Sequence, residues 1–292
     1  GEVSELLSPS AERIEAPCDY FGICGGCQYQ HIRYAAQIKY KKQILQEQLK
    51  RLAHLEQNVP IEVFPSDLIY GYRNVLQFHL LPNGKLGFMK RNSHEIFALE
   101  QCLLAKQEIR ELSSAFSFEA QTDITRIEMR QNTVGDVLVI MEGGKDIPKI
   151  ETDRRVNLVH SQGNENIVLS GEDALVMNIS GVPFHLSAGS FFQVNEGITE
   201  KMVAYVVALA KKNNARNVLD LYAGVGLFSR FLAPLVKEII AVENNPHACY
   251  DFIINLDAFN NISLYEGAVE MILPALPIQA DLAICDPPRA GL

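Results

Sequence analysis

Three patterns of apolar and polar positions divide the chain. Between Tyr34 and Leu55, apolar residues recur at steps of three, four and seven, which predicts one amphipathic helix. From residue 61 to about residue 185, short runs rich in valine, isoleucine and leucine alternate with turn sequences such as PNGK and EGGK, which predicts a β-rich region. The Asn83-Gly84 pair within it predicts a hairpin. From residue 190 onward, apolar strands alternate with helical segments, which indicates a parallel, doubly wound sheet.

The change of pattern near residues 186–190 predicts a boundary between two domains, which agrees with a length of 292 residues. We assign residues 18–188 to a β-rich α+β domain and residues 189–292 to an α/β domain. The helix at about residues 34–55 belongs to the first domain along the chain, and its apolar face can pack on the second.

The composition is that of a globular protein, with 48% hydrophobic residues. No run approaches the roughly 18 consecutive apolar residues that a membrane helix needs. The first residues lack the basic segment and apolar core of a secretory signal. We therefore expect a cytoplasmic protein with no membrane partner.

The distribution of charge is uneven. The formal net charge is −9, which argues against a polyanionic partner. Between Arg33 and Arg51, however, six basic residues face a single acid, Glu47, and give a local net charge of +5. A solvated helix face and a phosphate-facing one account for this segment equally well.

Three of the six cysteines, Cys18, Cys24 and Cys27, fall within the ten residues CDYFGICGGC. In a chain of this size without a secretory signal, such crowding favours a metal or iron–sulfur site over disulfides. Cys102 is the best candidate for a fourth ligand, because the other two cysteines belong to the C-terminal domain. Zinc and a [4Fe–4S] cluster both accept four thiolates, so the spacing leaves both open.

The last third carries a nucleotide-type binding pattern. Asp220 closes a buried strand, and Gly224 and Gly226 allow the backbone to approach a ligand at the start of the next helix. Glu243 ends the second strand, where a carboxylate can accept hydrogen bonds from ribose hydroxyls. Sites for NAD and for S-adenosyl-L-methionine share this layout. Phe228 stands where the dinucleotide pattern has a third glycine or alanine, which counts against NAD.

The third apolar strand of this region runs into Asp286-Pro287-Pro288-Arg289. The two prolines stiffen the strand exit and remove two backbone donors, which suits the edge of a substrate pocket. Methyltransferases that use S-adenosyl-L-methionine end this strand with [DN]-P-P-x when the acceptor is a nitrogen or a planar base. The motif therefore favours methyl transfer over hydride transfer.

Six motifs in order resemble the RNA uracil-5-methyltransferase family, whose members make 5-methyluridine in ribosomal and transfer RNA. The resemblance runs in register from residue 18 to residue 292. It is closest to the iron–sulfur branch, the 23S ribosomal RNA type. The motifs are CDYFGICGGCQYQH, YGYRN, SAGSFFQVN, DLYAGVGLFS, AVE and CDPPRAGL.

The resemblance implies two cofactors. In the iron–sulfur branch four cysteines hold a [4Fe–4S] cluster, and they fall on Cys18, Cys24, Cys27 and Cys102, which leaves zinc as the alternative. The contacts to S-adenosyl-L-methionine fall on Gln193, Tyr222, Glu243 and Asp286, beside the backbone at Gly224 and Gly226.

The family mechanism uses a cysteine thiolate that adds to C6 of uracil, so that C5 attacks the sulfonium methyl. A general base then removes the C5 proton and the enzyme is eliminated. In the family both groups follow the DPPRxGL motif, so we expect the nucleophilic cysteine and the base glutamate after Leu292. We expect no catalytic residue in this chain, which we interpret as C-terminally truncated.

The two remaining cysteines are poor substitutes for that nucleophile. Successive strand residues point to opposite faces of a sheet, so we expect the Cys285 sulfur to face the packed side. Cys249 lies in a helical segment, PHACYDFIINL, where apolar packing is the expected role.

The predicted fold class is thus α/β: an incomplete Rossmann-like methyltransferase domain preceded by a β-rich α+β domain that carries an iron–sulfur cluster. The family's N-terminal RNA-binding barrel is missing, so residues 1–17 are a linker or a remnant of it. Without further strands after residue 286, we expect an exposed edge strand.

The expected function is methylation of uridine C5 in RNA by a monomer, with ribosomal RNA favoured over transfer RNA because the cysteine cluster is kept. The alternatives are a non-catalytic fragment that binds RNA or S-adenosyl-L-methionine, a transfer-RNA uracil-5-methyltransferase, and a methyltransferase acting on DNA or a small molecule. We expect the target base to flip into a pocket between the two domains. Candidate RNA contacts are Tyr72, Arg73, Asn74, Lys90 and Arg91.

Overall fold

The computed structural model describes residues 5–55, 60–118, 122–147, 150–152, 154–163, 165–276 and 279–288. Residues 5–33 form mostly turns, held by isolated bridges such as Arg13 to Ile32. Helix α1 follows at Tyr34–Leu52, which confirms the predicted amphipathic helix. Ala36 is its one buried residue, so most of this long helix is accessible to solvent.

The β-rich region forms a seven-stranded sheet with a helix and a small ribbon beside it. The order of the strands across the sheet is β3-β2-β1-β5-β6-β8-β9. Neighbours are antiparallel except for the parallel pair β6 and β8. The elements are β1 (Val75–Leu80), β2 (Leu86–Met89), β3 (Ile96–Ala98), α2 (Gln107–Ala115), β4 (Ser117–Phe118), β5 (Ile124–Gln131), β6 (Val137–Gly143), β7 (Ile150–Glu151), β8 (Asn157–Gln162) and β9 (Glu165–Ser170), with β4 pairing with β7.

The hairpin predicted at Asn83-Gly84 joins β1 to β2. Gly84 adopts a φ of 77°, which favours glycine. The Asn83 side chain accepts a hydrogen bond from the backbone N–H of Lys85 at 3.2 Å. The local turn chemistry therefore fixes the register of the two strands.

The central sheet is buried on both faces. One face packs on α2 through a core that contains Ile127, Met129 and Val139. The other face contributes Leu138, Ile140 and Val159 to a second cluster, which also contains Leu175 and Ala188 from the next part of the chain. Because β6 is apolar at successive positions, it can contact both layers at once.

A two-stranded hairpin links the two regions. Strands β10 (Ala174–Ile179) and β11 (Val182–Ser187) pair with each other, and their buried side chains join those of Val203, Val225 and Ala248 in one core. This hairpin lies before the predicted boundary at residues 188 and 189, yet it packs on the C-terminal region. The boundary itself stays a prediction.

The C-terminal region is an α/β unit with a parallel sheet, as the alternating pattern predicts. The strand order is β14-β13-β12-β15, so the chain runs outward from β12 and then returns to its other side. Ligands of such sheets bind at the carboxyl ends of the strands, where the order reverses. The elements are α3 (Glu196–Lys212), β12 (Asn217–Leu221), α4 (Leu227–Leu232), β13 (Glu238–Glu243), α5 (Pro246–Leu256), β14 (Ile262–Glu266), α6 (Val269–Ile272) and β15 (Leu282–Cys285).

The two cysteines of this unit differ in exposure. Cys249 is buried on α5, as expected. Cys285 is exposed, so the expectation that its sulfur faces the packed side was wrong. The reason is that β15 is an edge strand: Leu282 and Ile284 contact the core, which directs Cys285 to the opposite face. Among the described residues, no helix combines the length and hydropathy that crossing a membrane requires.

Candidate functional site

The turn between β12 and α4 brings backbone to the carboxyl edge of the sheet. Tyr222, Gly224 and Gly226 all have positive φ angles, of 61°, 55° and 86°. At Gly226 a Cβ atom would lie 2.2 Å from the Leu256 side chain, so α5 packs directly against this backbone. At Gly224 nothing lies within 4 Å of such an atom, which leaves open space beside the turn. The first glycine makes room for a ligand, and the second allows the helix to pack.

Glu243 connects this turn to the tip of β13. Its Oε2 accepts a hydrogen bond from the Gly224 N–H at 2.8 Å, and its Oε1 accepts from the N–H groups of Asn244 and Asn245 at 2.8 Å each. A carboxylate has about four acceptor positions, so one remains for a ligand hydroxyl. The predicted ribose acceptor is therefore held in place by the backbone of both strand ends.

Asp220 lies directly beneath the turn and is 1% exposed. Burial raises its pKa to about 7, although a hydrogen bond from the Ser229 hydroxyl at 2.6 Å opposes the shift; the charges of Glu243 and Asp286 raise it further. These three acids lie at or near the carboxyl ends of the adjacent strands β12, β13 and β15. The sequence identified Asp220 as a strand end, but its burial and its partner on α4 could not be read from the local pattern.

Two further predicted cofactor residues lie at the same edge. The Tyr222 hydroxyl donates to Glu270 at 2.8 Å, and desolvation together with that carboxylate raises the pKa of Tyr222 to about 12. The hydroxyl thus stays protonated at neutral pH. Asp286 follows β15, and its backbone N–H donates to the carbonyl of Leu221 at 3.4 Å. The structure therefore brings Tyr222, Glu243 and Asp286 to the ends of three adjacent strands.

Gln193 lies on the segment between β11 and α3. Residues of the β-rich region form hydrogen bonds with this segment. The Asn74 side chain donates to the Gln193 carbonyl at 3.2 Å, and the Asn74 backbone N–H donates to the Val194 carbonyl at 3.0 Å. Asn74 is 1% exposed, so the expectation that it contacts RNA was wrong. Its hydrogen bonds instead connect the β-rich region to the segment that carries Gln193. Asn245, two residues after Glu243, donates to the Gly189 carbonyl at 3.2 Å and ties the same segment to β13.

A cavity of about 700 Å³ opens between the two regions, where we expected the target base. Arg73, Glu128 and Arg130 line it from the central sheet, and residues 188–192 line it from the connecting segment. Phe191 is 68% exposed and offers an aromatic face. Arg130 forms a buried ion pair with Glu128 at 2.6 Å and donates to the Ser187 carbonyl at 3.0 Å, which fixes the wall of the cavity.

Two polar side chains of α5 form hydrogen bonds with β11 and with the glycine turn. Asp251 is completely buried and accepts hydrogen bonds from the Ser187 N–H at 2.9 Å and from His185 Nδ1 at 2.8 Å. Asn255 accepts from the His185 N–H at 2.7 Å and donates to the carbonyls of His185 and Val225 at 3.1 and 3.0 Å. Sequence reasoning missed both residues; the available signal was a pair of polar residues four positions apart within an apolar helix.

The chain is similar to a known protein family and to individual proteins. The family model described as tRNA (Uracil-5-)-methyltransferase matches residues 149–276. An uncharacterised RNA methyltransferase of Streptomyces coelicolor is 30% identical over 314 residues, which cover 98% of this chain and 67% of the relative. A second, from Listeria monocytogenes serotype 4b, is 30% identical over 329 residues, or 99% of this chain and 72% of the relative.

The chain belongs to the tRNA/RNA uracil-5-methyltransferase family. It is an S-adenosyl-L-methionine-dependent RNA methyltransferase. The fold is similar to that of the Pyrococcus abyssi tRNA (uracil-54, C5)-methyltransferase in complex with S-adenosyl-L-homocysteine, with a TM-score of 0.72 and 20% identity over 99% of this chain and 73% of that one. The predicted α/β methyltransferase fold is therefore confirmed.

The four predicted cluster ligands of this RNA methyltransferase line one cavity. Cys18, Cys24, Cys27 and Cys102 surround about 650 Å³ together with aromatic side chains that include Tyr20. Burial raises the pKa of the Cys24 and Cys102 thiols, and charge on the neighbouring cysteines raises it further. The four cysteines therefore share one partly buried cavity.

Among the described residues, no group of three or more histidine, cysteine or acidic side chains converges as the ligands of a single metal ion would. In a [4Fe–4S] cluster each thiolate binds a different iron, so the four sulfurs need not converge on one point. The donor set of four thiols around a partly buried cavity therefore fits a cluster chemically.

The other candidate RNA contacts of the methyltransferase differ in accessibility. Arg73 lines both the cysteine cavity and the cavity between the two regions. Arg91 is exposed, while Lys90 forms an ion pair with Glu95. Tyr72 is half-buried, and desolvation raises its pKa. Arg73 and Arg91 are thus the two of this set best placed to meet phosphate.

Proposed function

We propose that this enzyme methylates C5 of a uridine in RNA, with 23S ribosomal RNA as the favoured substrate. One observation carries the proposal: the cofactor-type edge formed by the glycine turn, Glu243 and Asp286 is tied through Asn245 to the segment that lines the inter-domain cavity. A methyl donor at the strand ends and a base in the cavity would therefore be neighbours. Transfer RNA is the alternative substrate.

Each predicted cofactor residue has a proposed role. Glu243 accepts from the ribose hydroxyls, because backbone N–H groups already orient its carboxylate. The open space at Gly224 admits the ligand. Tyr222 packs against the apolar stem of the donor and Gln193 bonds its polar groups, while Asp286 lies near the methyl-transfer centre.

The target uracil is proposed to enter the inter-domain cavity after leaving its stack. Phe191 offers a face on which an extruded base can stack. Arg73 lines the cavity, and Arg130 is held in its wall by the ion pair with Glu128 and by the Ser187 carbonyl. A rigid wall reduces the entropy lost when the base binds.

We propose that none of the cysteines in residues 1–292 is the nucleophile. Four form the cluster set. Burial and the nearby acids Glu266 and Glu243 raise the pKa of Cys249 to about 11, which leaves almost no thiolate at neutral pH. Cys285 is exposed on the edge strand and is not among the residues that line the inter-domain cavity. The nucleophilic cysteine and the base glutamate expected after Leu292 stay predictions.

Methyl transfer from tritiated S-adenosyl-L-methionine tests the function. Residues 1–292 should bind S-adenosyl-L-homocysteine without transferring label, whereas a chain that continues past Leu292 should place label in 5-methyluridine. Transcripts of 23S ribosomal RNA should be labelled in preference to transfer RNA. No label in any uridine with the longer chain would refute the proposal. Label transferred by residues 1–292 would refute the assignment of the nucleophile, and Cys285→Ala would then be the variant to assay.

We also propose that Cys18, Cys24, Cys27 and Cys102 hold a [4Fe–4S] cluster. The shared cavity supports this assignment, because its lining among the described residues contains all four cysteines and no acidic side chain. When bound, the cluster would join the N-terminal turns to Cys102, in the segment between β3 and α2, and supply a redox-active centre. Zinc remains the alternative.

The cluster proposal is tested by metal analysis of protein purified without oxygen. We expect about four iron atoms per chain and broad absorbance near roughly 400 nm from thiolate–iron charge transfer. Cys102→Ser should lose both signals, whereas Cys285→Ser, which changes an exposed thiol outside the cavity, should keep them. A colourless protein with one zinc ion per chain contradicts the proposal.

A further inference from the structure

A second large groove lies away from the cofactor edge, between helices α1 and α3. It has a volume of about 1000 Å³. We call it the α1–α3 groove. Its lining consists of Ile38, Lys39 and Lys42 from α1, residues 60–64 from the segment before the central sheet, and Ile198, Lys201, Met202 and Tyr205 from α3.

Two aromatic rings are exposed in this groove. Phe64 and Tyr205 are 45% and 48% exposed, and their ring centroids lie 5.8 Å apart in an edge-to-face arrangement. Ile38, Val63 and Met202 provide the apolar surface around them. The groove therefore presents flat aromatic faces that solvent can reach.

The wall on the α1 side is positively charged. Lys39 and Lys42 are exposed, and neither takes part in an ion pair among the described residues. Lys201 on the opposite wall is instead neutralised by Asp67, with the two charged atoms 2.9 Å apart. Among the described residues that line the groove, Glu62 is the one acid. The two α1 lysines therefore set the sign of the potential in the groove.

The groove is attached to the cofactor segment. The Tyr34 hydroxyl of α1 accepts a hydrogen bond from the Ser66 N–H at 2.7 Å, and the Asn195 side chain donates to the Ser66 hydroxyl at 3.1 Å. Asn195 caps α3 and lies two residues after Gln193. Hydrogen bonds therefore join the wall of the groove to the segment that carries Gln193.

We propose that the α1–α3 groove binds unpaired nucleotides that flank the target uridine. Their bases stack on Tyr205 and Phe64, and their phosphates meet Lys39 and Lys42. The proposal rests on the function proposed above, because it presumes an RNA substrate. Removing a base from its stack leaves unpaired neighbours, and proteins hold single strands by combining aromatic faces with cations.

Binding of a fluorescein-labelled decauridylate tests the charged wall. Each lost phosphate contact should lower the slope of log affinity against log salt by about 0.7, so Lys39→Glu with Lys42→Glu should lower it by about 1.4. At roughly 0.1 M salt the affinity should fall at least about tenfold. The matched control, Lys211→Glu with Lys212→Glu, makes the same charge change at the far end of α3 and should alter the affinity less than threefold.

Fluorescence tests the aromatic part of the same groove. The chain contains no tryptophan, so Tyr205→Trp introduces a single reporter. Stacking of a base should quench its emission when decauridylate is added. Tyr250→Trp, at a residue of α5 that is 60% exposed, should show no such quenching.

The outcomes separate this inference from the proposed function. Equal losses of affinity in the two charge-reversal pairs, or equal quenching of the two tryptophans, would overturn the groove assignment while leaving the RNA substrate in place. Wild-type protein that binds no RNA would overturn the proposed function itself. A selective loss with Lys39 and Lys42 and selective quenching at Tyr205 support the groove.

Discussion

Asp220 is the residue whose chemistry depends most on its surroundings. Burial beneath the glycine turn raises its pKa from 3.8 to about 7, and Ser229 supplies the hydrogen bond that limits the shift. The folded protein therefore binds a proton there that the unfolded chain releases above pH 4. Since the native state holds more protons than the unfolded state between pH 4 and pH 7, stability should fall as the pH rises through this interval.

Replacing Asp220 with asparagine should remove that pH dependence. The shift corresponds to roughly 4 kcal/mol of unfolding free energy, so wild-type protein should lose a large part of this amount between pH 5 and pH 8, and Asp220→Asn should not. Urea unfolding at both pH values measures the difference. Ser229→Ala should displace the transition to higher pH, because it removes the hydrogen bond to the carboxylate. Identical pH profiles for wild type and Asp220→Asn would contradict the prediction.

Helix α5 acts as an element that positions others. Its Asp251 and Asn255 side chains bind β11 and the carbonyl of Val225, while Asn245 at its start binds the segment that carries Gln193. This one helix therefore forms hydrogen bonds with the glycine turn, with β11 and with the segment between β11 and α3. We expect α5 to set the distance between methyl donor and target base.

Asn255→Ala should weaken cofactor binding more than its effect on stability explains. It removes three hydrogen bonds and leaves buried backbone groups of β11 and the glycine turn unpaired, which costs about 2–4 kcal/mol. We expect calorimetry to show at least about tenfold weaker binding of S-adenosyl-L-homocysteine. Glu243→Ala should also weaken the binding of this ligand.

Asn261→Ala is the matched control for that experiment. Asn261 donates two hydrogen bonds to the carbonyls of Ala233 and Val236, near the amino ends of β13 and β14 and away from the carboxyl ends that form the cofactor edge. The variant should lose stability but keep its affinity for S-adenosyl-L-homocysteine within about twofold. If both asparagine variants lose affinity in proportion to stability, α5 has no positioning role.

At the scale of the whole molecule, the sequence predicts features that local signals determine, but not features that depend on long-range contacts. Helix α1, the hairpin at Asn83-Gly84 and the parallel sheet are set by periodicity and turn chemistry within short windows, and all three were predicted. The glycine turn and Glu243 were also identified, because strand ends of a parallel sheet share one edge.

Other features depend on residues far apart in the chain. Asn74 meets Gln193 across 119 positions, so its burial between the two regions could not be predicted from the GYRN motif. The exposure of Cys285 depends on which face of the edge strand β15 packs on the core, and alternation along the strand does not by itself say which face that is. The packing of β10 and β11 on the C-terminal unit likewise has no local signal, since the hairpin itself resembles those of the preceding sheet.

The docking of that hairpin has a consequence during synthesis. Strand β11 ends at Ser187 and helix α5 begins at Pro246. The ribosome therefore adds 59 residues between the end of the hairpin and the start of the helix that packs on it. At about 5–20 residues per second this interval lasts roughly 3–12 seconds. For that time the side chains of Met177, Phe184 and Leu186, which are buried in the finished protein, lack the helix that covers them. The nascent chain therefore carries an exposed apolar hairpin, which a chaperone that recognises extended hydrophobic segments can bind before the methyltransferase is complete.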